Sequence, residues 1–317
     1  MSFALTVKEE VISHIFDDDL GKAFLSGFIK YNGDFIWGSG SEKLKLTSIS
    51  NKIARSIFGL CKKMFDGHIE ISVSQTQTLK QNKTFQITLI GKISEFLKSL
   101  NIWDLNDIKI IEFKPLKQQK NKEELTKLKR AYMAGVFVAV GSVNSPETTN
   151  YHLELQFKEE ESSLYIIELM NKYGFDFKTL KRNEKLFICY IKKAIMVSDF
   201  LKFIDAYQAV MNFENERIMR DVSNNVNRVN NIDISNEKKT LSAGLKQIDQ
   251  ISKIQANLAT KRLSEKAAYL CDLRIQNPNA SYAELTELMN ENGYEITKSG
   301  VSNLFKIIEK LSLEFKN

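Results

Sequence analysis

Lys298, Ser299, Ser302, Asn303, Lys306 and Lys310 place ammonium, hydroxyl and amide groups within one short stretch of the chain. These groups suit recognition rather than bond breaking. An ammonium neutralises a phosphate, an amide can pair twice with adenine, and a hydroxyl can donate to or accept from a base edge. A second polar set lies upstream, in the spacing Asn224-x-x-Asn227-Arg228-x-x-Asn231 followed by Asn236-x-x-Lys239-Thr240. Two readings stand for it. The Asn side chains bond backbone in turns, or Asn227, Arg228 and Asn231 contact a nucleic acid or position the helices that follow. Neither a metal nor a cofactor is expected: Cys61, Cys189 and Cys271 are far apart with no Cys-x-x-Cys, and His14, His68 and His152 have no ligand spacing.

The elements that must carry the first set can be read from caps and periodicity. Lys266 to Gln276 reads as a helix that stops before Pro278. Ser281 and Glu284 make a capping box for a second helix, Tyr282 to Asn292, which Gly293 ends. Thr297 caps a third, on which Val301, Leu304, Phe305, Ile308 and Leu311 fall on one apolar stripe. The six polar residues project from its other face. Two capped helices joined by a short turn, the second exposing such groups, fit a helix-turn-helix unit whose second helix enters a major groove. A helical hairpin that contacts protein carries the same pattern. Upstream, Asn236 is placed to cap a helix Glu237 to Ile254 with Leu241, Leu245, Ile248 and Ile251 on one face, which makes residues 214–236 an Asn-rich connector.

The first two thirds of the chain repeat themselves. Residues 25–33 read Leu-Ser-Gly-Phe-Ile-Lys-Tyr-Asn-Gly and residues 133–141 read Met-Ala-Gly-Val-Phe-Val-Ala-Val-Gly, each a small-Gly pair with a second Gly six residues on. Leu20 to Tyr31 and Glu123 to Val140 are the two motif helices. Strands at Asp34 to Trp37, Leu44 to Ser48, Ile69 to Val73 and Thr84 to Ile90 surround a helix that starts at Asn51, and Ile93 to Leu100 closes the first half. Tyr151, Leu153, Leu155 and Phe157 alternate with polar residues as a half-buried strand. A helix from Ser162 to Tyr173, strands at Phe175 to Leu180 and Lys185 to Ile191, and a helix from Val197 to Ile204 complete the second half. The Lys-rich stretch Lys114 to Arg130 reads as a solvated connector running into the second motif helix. The fold class is α+β: two pseudo-symmetric αββαββα halves, residues 1–113 and 114–213, the connector 214–236, and an all-α domain over 237–317.

The paired motifs resemble the LAGLIDADG helices of homing endonucleases, where two such helices pack across a pseudo-twofold axis. The glycines fit that role, because backbones without Cβ approach closely and the second Gly lets the chain turn out of the helix. The resemblance implies a metal-binding acid just before each second Gly, and here those positions hold Asn32 and Val140. Cleavage through two metal ions needs hard carboxylate oxygens. Asn32 is a weak neutral ligand and Val140 is none, so no catalytic residue and no metal are expected. The enzymatic alternative is a site-specific endonuclease using Asn32 or Asp34. The resemblance also implies a sheet saddle over DNA; Lys178, Lys181, Arg182 and Lys185 favour phosphate there, whereas Glu154 does not.

Taken together, Ala134-Gly135 through Gly141-Ser142-Val143-Asn144, Phe213-Glu214-Asn215, Arg217-Ile218-Met219-Arg220, the Asn227-Arg228 box and Thr297-Lys298-Ser299-Gly300-Val301 resemble the WhiA family of bacterial regulators. The resemblance spans nearly the whole chain. It implies a degenerate LAGLIDADG-like domain followed by a helix-turn-helix, double-stranded DNA as partner, and a non-enzymatic role in transcriptional control of sporulation in relatives, cell division and chromosome segregation. A transcription-complex protein such as a sigma factor is the alternative partner. Relatives carry His and Arg where this chain has Asn303 and Leu304, and Arg where it has Lys306, which implies fewer phosphate and guanine contacts.

Charge accords with an anionic partner held by local geometry. The 317 residues carry a net +6, and residues 220–317 hold 14 Lys and Arg against 12 Asp and Glu, so neither part is strongly basic. No run of eighteen apolar residues and no signal-peptide core is present. A soluble protein of a reducing cytoplasm, associated with the nucleoid and not with a membrane, is expected.

Overall fold

The computed structural model describes residues 2–14, 16–38, 40–75, 83–115 and 121–315, in two compact units, Met1–Met219 and Arg220–Asn317. The middle of the Lys-rich stretch, residues 116–120, lies outside the described residues.

The first unit contains the same run of elements twice. In the first half α2 (Asp18–Asn32) leads into β1 (Asp34–Gly38) and β2 (Ser41–Ser48), then α3 (Asn51–Met64), β3 (His68–Gln75), β4 (Lys83–Ile90) and α4 (Ile93–Ser99). In the second, α5 (Lys122–Val140) leads into β5 (Gly141–Val143), β6 (Leu153–Phe157), α6 (Glu160–Asn171), β7 (Lys178–Asn183), β8 (Leu186–Ile191) and α7 (Ala194–Phe203). Both sheets are antiparallel with matching orders, β1-β2-β4-β3 and β5-β6-β8-β7. The pleat explains which side is core. Leu44 and Leu46 pair with Leu89 and Ile87, Leu153 and Leu155 pair with Ile191 and Cys189, and all eight are buried. Each motif helix starts on a side-chain cap, Asp17 accepting from Leu20 N at 2.7 Å and Asn121 from Glu124 N at 2.8 Å.

The motif glycines serve space rather than turning. Gly33 and Gly141 have φ of −73° and −80°, open to any residue, so they are not left-handed caps. A Cβ at either would crowd the carbonyl one turn back, at 2.7 Å from Ile29 O and 2.6 Å from Phe137 O. Gly27 and Gly135 are the points where α2 and α5 meet backbone to backbone.

Two elements depart from expectation. Residues 3–11 form α1 (Phe3–Val11), which buries Val7 and Val11 and whose Glu10 accepts from Gln208 N and Ala209 N at 2.6 and 2.9 Å. Those amides start α8 (Tyr207–Ala256), and this one helix replaces the expected connector. Asn236 therefore lies inside a helix and caps nothing. Asn lowers helix propensity only modestly, and between residues 207 and 256 there is no Pro and one Gly to stop propagation. The buried face is also shifted. Gly244, Gln247, Ile251 and Ile254 turn inward, while Leu245 is 69% exposed. Close approach at Gly244 and a hydrogen bond at Gln247 do there what an apolar stripe was expected to do.

The second unit continues with α9 (Glu265–Gln276), α10 (Tyr282–Glu291) and α11 (Lys298–Ser312). Its core joins Ile251 and Ile254 to Leu270, Leu285, Met289, Val301, Phe305 and Ile308. No helix among the described residues is long and apolar enough to cross a membrane.

Candidate nucleic-acid interface

α11 is held by its ends and its buried stripe. Thr297 Oγ1 accepts from Gly300 N at 3.2 Å, and Val301, Phe305, Ile308 and Leu311 are buried, with Leu304 half-buried beside them. The opposite face is open. Ser299, Asn303, Lys306 and Lys310 follow at i, i+4, i+7 and i+11 and are all exposed, so they share one face. Lys298 is exposed in the first turn and Ser302 is half-buried at its flank. The Ser299 hydroxyl lies 2.9 Å from Thr297 Oγ1, so it also helps order the helix start. A groove-sized rod with amide and ammonium groups on one face can set Lys306 and Lys310 on phosphates while Asn303 reaches a base edge.

Three features aim α11 that the sequence did not disclose. Asn290 clamps the α10–α11 turn, donating to Ile296 O at 3.1 Å and accepting from Ile296 N at 2.9 Å. Arg274 is 1% exposed, with Nη1 within 3.3 Å of Asn277 O, 3.2 Å of Pro278 O and 2.7 Å of Ala280 O. Its guanidinium sits 5.4 Å from the Phe305 ring, joining the α9–α10 turn to α11, and burial lowers its pKa. Gln247 donates to Tyr282 Oη at 2.7 Å, and a Cβ at Gly244 would stand 2.3 Å from Pro278 O, so α8 is pressed on the same turn. Of these, only Gly244 left a sequence signal, a lone glycine inside a helical pattern. The capping box is present: Ser281 N donates to Glu284 Oε2 at 2.7 Å, and Glu284 N donates to Ser281 Oγ at 3.3 Å. Hydrogen bonds to the carboxyl from the Ser281 backbone N–H, and then from its hydroxyl, hold Glu284 below its usual range.

Asn227, Arg228 and Asn231 are exposed on α8. α8 meets α11 at Lys246 and Glu309, 2.6 Å apart. That contact lies about 22 Å further along the helix from Asn231, at roughly 1.5 Å per residue. The turn reading of this segment does not hold, since it is helical. Exposed hydrophobic side chains, Val222, Val226 and Val229, run along the same stretch.

In the first unit the positions before the second glycines are occupied structurally. Asn32 Oδ1 accepts from Thr47 N at 2.9 Å, tying the end of α2 to β2. Val140 lines a cavity of about 500 Å³. Asp34 is exposed, 3.9 Å from Lys158. Among the described residues no group of three His, Cys, Asp or Glu side chains is arranged to hold a metal ion. On the second sheet Lys178, Lys181 and Arg182 are exposed on β7 and Lys185 lies in the turn after it. Near the middle of that sheet, burial opposes the Glu154 charge, but hydrogen bonds from His152 at 3.0 Å and Gln156 at 2.8 Å hold its carboxyl below the usual range. A fixed carboxylate there repels phosphate.

Residues 18–103 match the model of the WhiA N-terminal LAGLIDADG-like domain, residues 129–223 that of the WhiA LAGLIDADG-like domain, and residues 226–312 that of the WhiA C-terminal HTH domain. The chain is 36% identical over 317 residues to a probable cell division protein WhiA of Macrococcus caseolyticus, covering 100% of this chain and 98% of that protein. It is 33% identical over 311 residues to a protein of the same description from Lactobacillus acidophilus, covering 98% of each. Its fold is similar to the crystal structure of full-length DUF199/WhiA from T. maritima, with a TM-score of 0.59 and 22% identity over the full length of both chains.

Proposed function

The chain belongs to the WhiA family, and from that premise we propose that it is a non-enzymatic regulator of transcription that binds double-stranded DNA and acts in cell division and chromosome segregation at the nucleoid. The observation that carries this reading is α11: four polar side chains aligned on an exposed face, backed by an apolar stripe of which Val301, Phe305, Ile308 and Leu311 are buried. Lys298, Lys306 and Lys310 supply phosphate contacts, and Ser299, Ser302 and Asn303 supply base-edge contacts. Asn227, Arg228 and Asn231 extend the contact along α8, their exposed side chains being free to meet a backbone. The saddle is given no part in sequence reading, because Glu154 stands in it as a fixed negative charge. Mapping of bound DNA across the source genome, repeated with an Asn303→Ala and Lys306→Ala chain, tests the reading. Retention of every site by that variant overturns it.

Catalysis is assigned no residue. Asn32 is engaged with the Thr47 amide, and Val140 has no ligating atom. Magnesium-dependent duplex cleavage that disappears on Asp34→Ala would establish the endonuclease alternative. A second partner, a transcription-complex protein such as a sigma factor, is favoured by one feature, the exposed Val222, Val226 and Val229 on α8. Loss of co-purified sigma factor on Val226→Glu, with DNA binding intact, would support it.

A further inference from the structure

Where α5 ends, the first unit holds a cavity of about 500 Å³ with a surplus of positive charge in its wall. Lys8 from α1, Lys30 from α2 and Lys109 from the segment after α4 line it, and Glu159 is the single carboxylate among its lining residues. Lys158 also reaches the rim, 3.9 Å from Asp34. Glu159 is already used. It accepts from Lys109 Nζ at 2.6 Å and from Ser162 Oγ at 3.1 Å. Lys30 is 8% exposed, donates to Ile111 O, and has three tyrosine rings around it at 5.7 to 5.9 Å. Lys8 has no ion pair among the described residues.

Burial pushes Lys8 down to about 8, and burial together with Lys109 pushes Lys30 down to about 7, against the pull of Glu159 and Glu112. Lys8 thus has no carboxylate acting on it among the described residues, and Lys30 has only the weaker pull of Glu159 and Glu112, with no direct ion pair. The end of α5 at Val140 offers only a fraction of a negative charge, of order one half. Three lysines less one carboxylate leave a surplus between one and two at neutral pH, where Lys30 is only partly charged, and it approaches two once an anion holds Lys30 protonated. A phosphate monoester carries about −1.5 to −2 at neutral pH. The volume is that of a small-molecule site, and Tyr31, Phe157 and Val140 give it apolar wall. Val140 matters here for what it is not, since an acid in its place would cancel part of the surplus.

We propose that this cavity binds a small phosphorylated metabolite, its phosphate held among Lys8, Lys30 and Lys109 and its remainder against Tyr31, Phe157 and Val140. The anion adds no covalent step. It supplies the charge the buried lysines lack.

Inorganic phosphate and pyrophosphate are the probes, titrated into the full-length chain at constant ionic strength set with sodium chloride. Lysine labelled with ¹³C at Cε reports Lys30 directly. The anion binds the charged ammonium better, so the Lys30 midpoint should rise from about 7, with one unit of rise equal to about a tenfold preference. Lys8→Met and Lys109→Gln should each weaken saturable binding several-fold, and Lys62→Ala on α3, outside the cavity, should leave it unchanged. No saturable shift with either anion overturns the proposal, as does binding indifferent to Lys8→Met and Lys109→Gln. A duplex arm, run on the Lys298→Ala, Lys306→Ala chain, separates the sources of phosphate. If duplex moves Lys30 and the free anions do not, the cavity is part of a DNA surface and the metabolite assignment falls.

Discussion

Gly27 and Gly135 each lie against the backbone of the other's helix: a Cβ on Gly27 would stand 2.2 Å from Tyr132 O, and one on Gly135 would stand 2.0 Å from Phe24 O. Carbonyl oxygens in the middle of a packed helix pair cannot swing aside as a side-chain end can. The two halves are joined at the one separation these glycines permit.

Gly135→Ala should therefore force α2 and α5 apart and cost at least the roughly 1–3 kcal/mol of ordinary overpacking. Gly59→Ala is the contrast. Gly59 lies inside α3, and a methyl added there would meet nothing within 4 Å, so helix propensity should win and stabilise by up to about 1 kcal/mol. Urea midpoints of the two variants should move in opposite directions. A Gly135→Ala chain as stable as the parent would show that the helices part easily and that the close crossing is not what joins the halves.

Lys30 should give stability a pH dependence of known sign. Its folded pKa, lowered to about 7 by burial and then by Lys109, lies below the unfolded value near 10.4. Between the two the unfolded chain holds more protons, so stability rises with pH across that window and is flat below it with respect to this group. Lys30→Met removes the effect, along with a constant offset from the lost bond to Ile111 O. The difference in unfolding free energy, parent minus variant, should climb from about pH 7 towards pH 10 in a phosphate-free buffer. A flat or falling difference would show that Lys30 is charged in the folded chain well above pH 7.

These residues also mark where sequence reading works. The α11 stripe, the Ser281–Glu284 box and the glycine pairs are local patterns, fixed by helix period and cap chemistry, and each is where its pattern put it. The Asn-rich run misled because Asn favours turns through side-chain bonds to backbone, while nothing in it forbids a helix that neighbouring turns propagate. The cage around Lys30 was illegible for another reason. Tyr31, Tyr132 and Tyr165 come from α2, α5 and α6, and only the packing of both halves brings them to one ammonium. Arg274 is similar, since its acceptors belong to a turn whose path the sequence does not specify.

Arg274→Met tests that turn. It would take the Arg274 donor from the carbonyls of Asn277, Pro278 and Ala280, of which Asn277 O keeps the Ala280 N–H, at a cost of about 1–3 kcal/mol. Because the same guanidinium rests on Phe305, the second unit should melt earlier and α11 should lose its fixed aim. Arg274→Lys keeps the charge but loses the planar guanidinium that rests on Phe305, so it should rescue little. Full stability of Arg274→Met, with unchanged duplex affinity, would show that Asn290 and the α8 contact hold the turn unaided.

If α11 is the reading helix proposed above, its exposed face should separate affinity from specificity. Lys298, Asn303 and Lys306 are exposed and clear of the buried stripe, so replacing them should leave folding intact. Each of Lys298→Ala and Lys306→Ala removes a cation proposed to release a counterion on binding, and should weaken all duplexes alike while lowering the salt slope by about 0.9. Asn303→Ala removes an amide able to pair with adenine, and should cost about 1–3 kcal/mol of discrimination with the salt slope unchanged. Titrations of a preferred and a scrambled duplex at two salt concentrations distinguish the two effects. The opposite outcome is equally sharp: if Arg228→Ala on α8 abolishes site preference and Asn303→Ala does not, α8 reads the bases and α11 only grips the backbone.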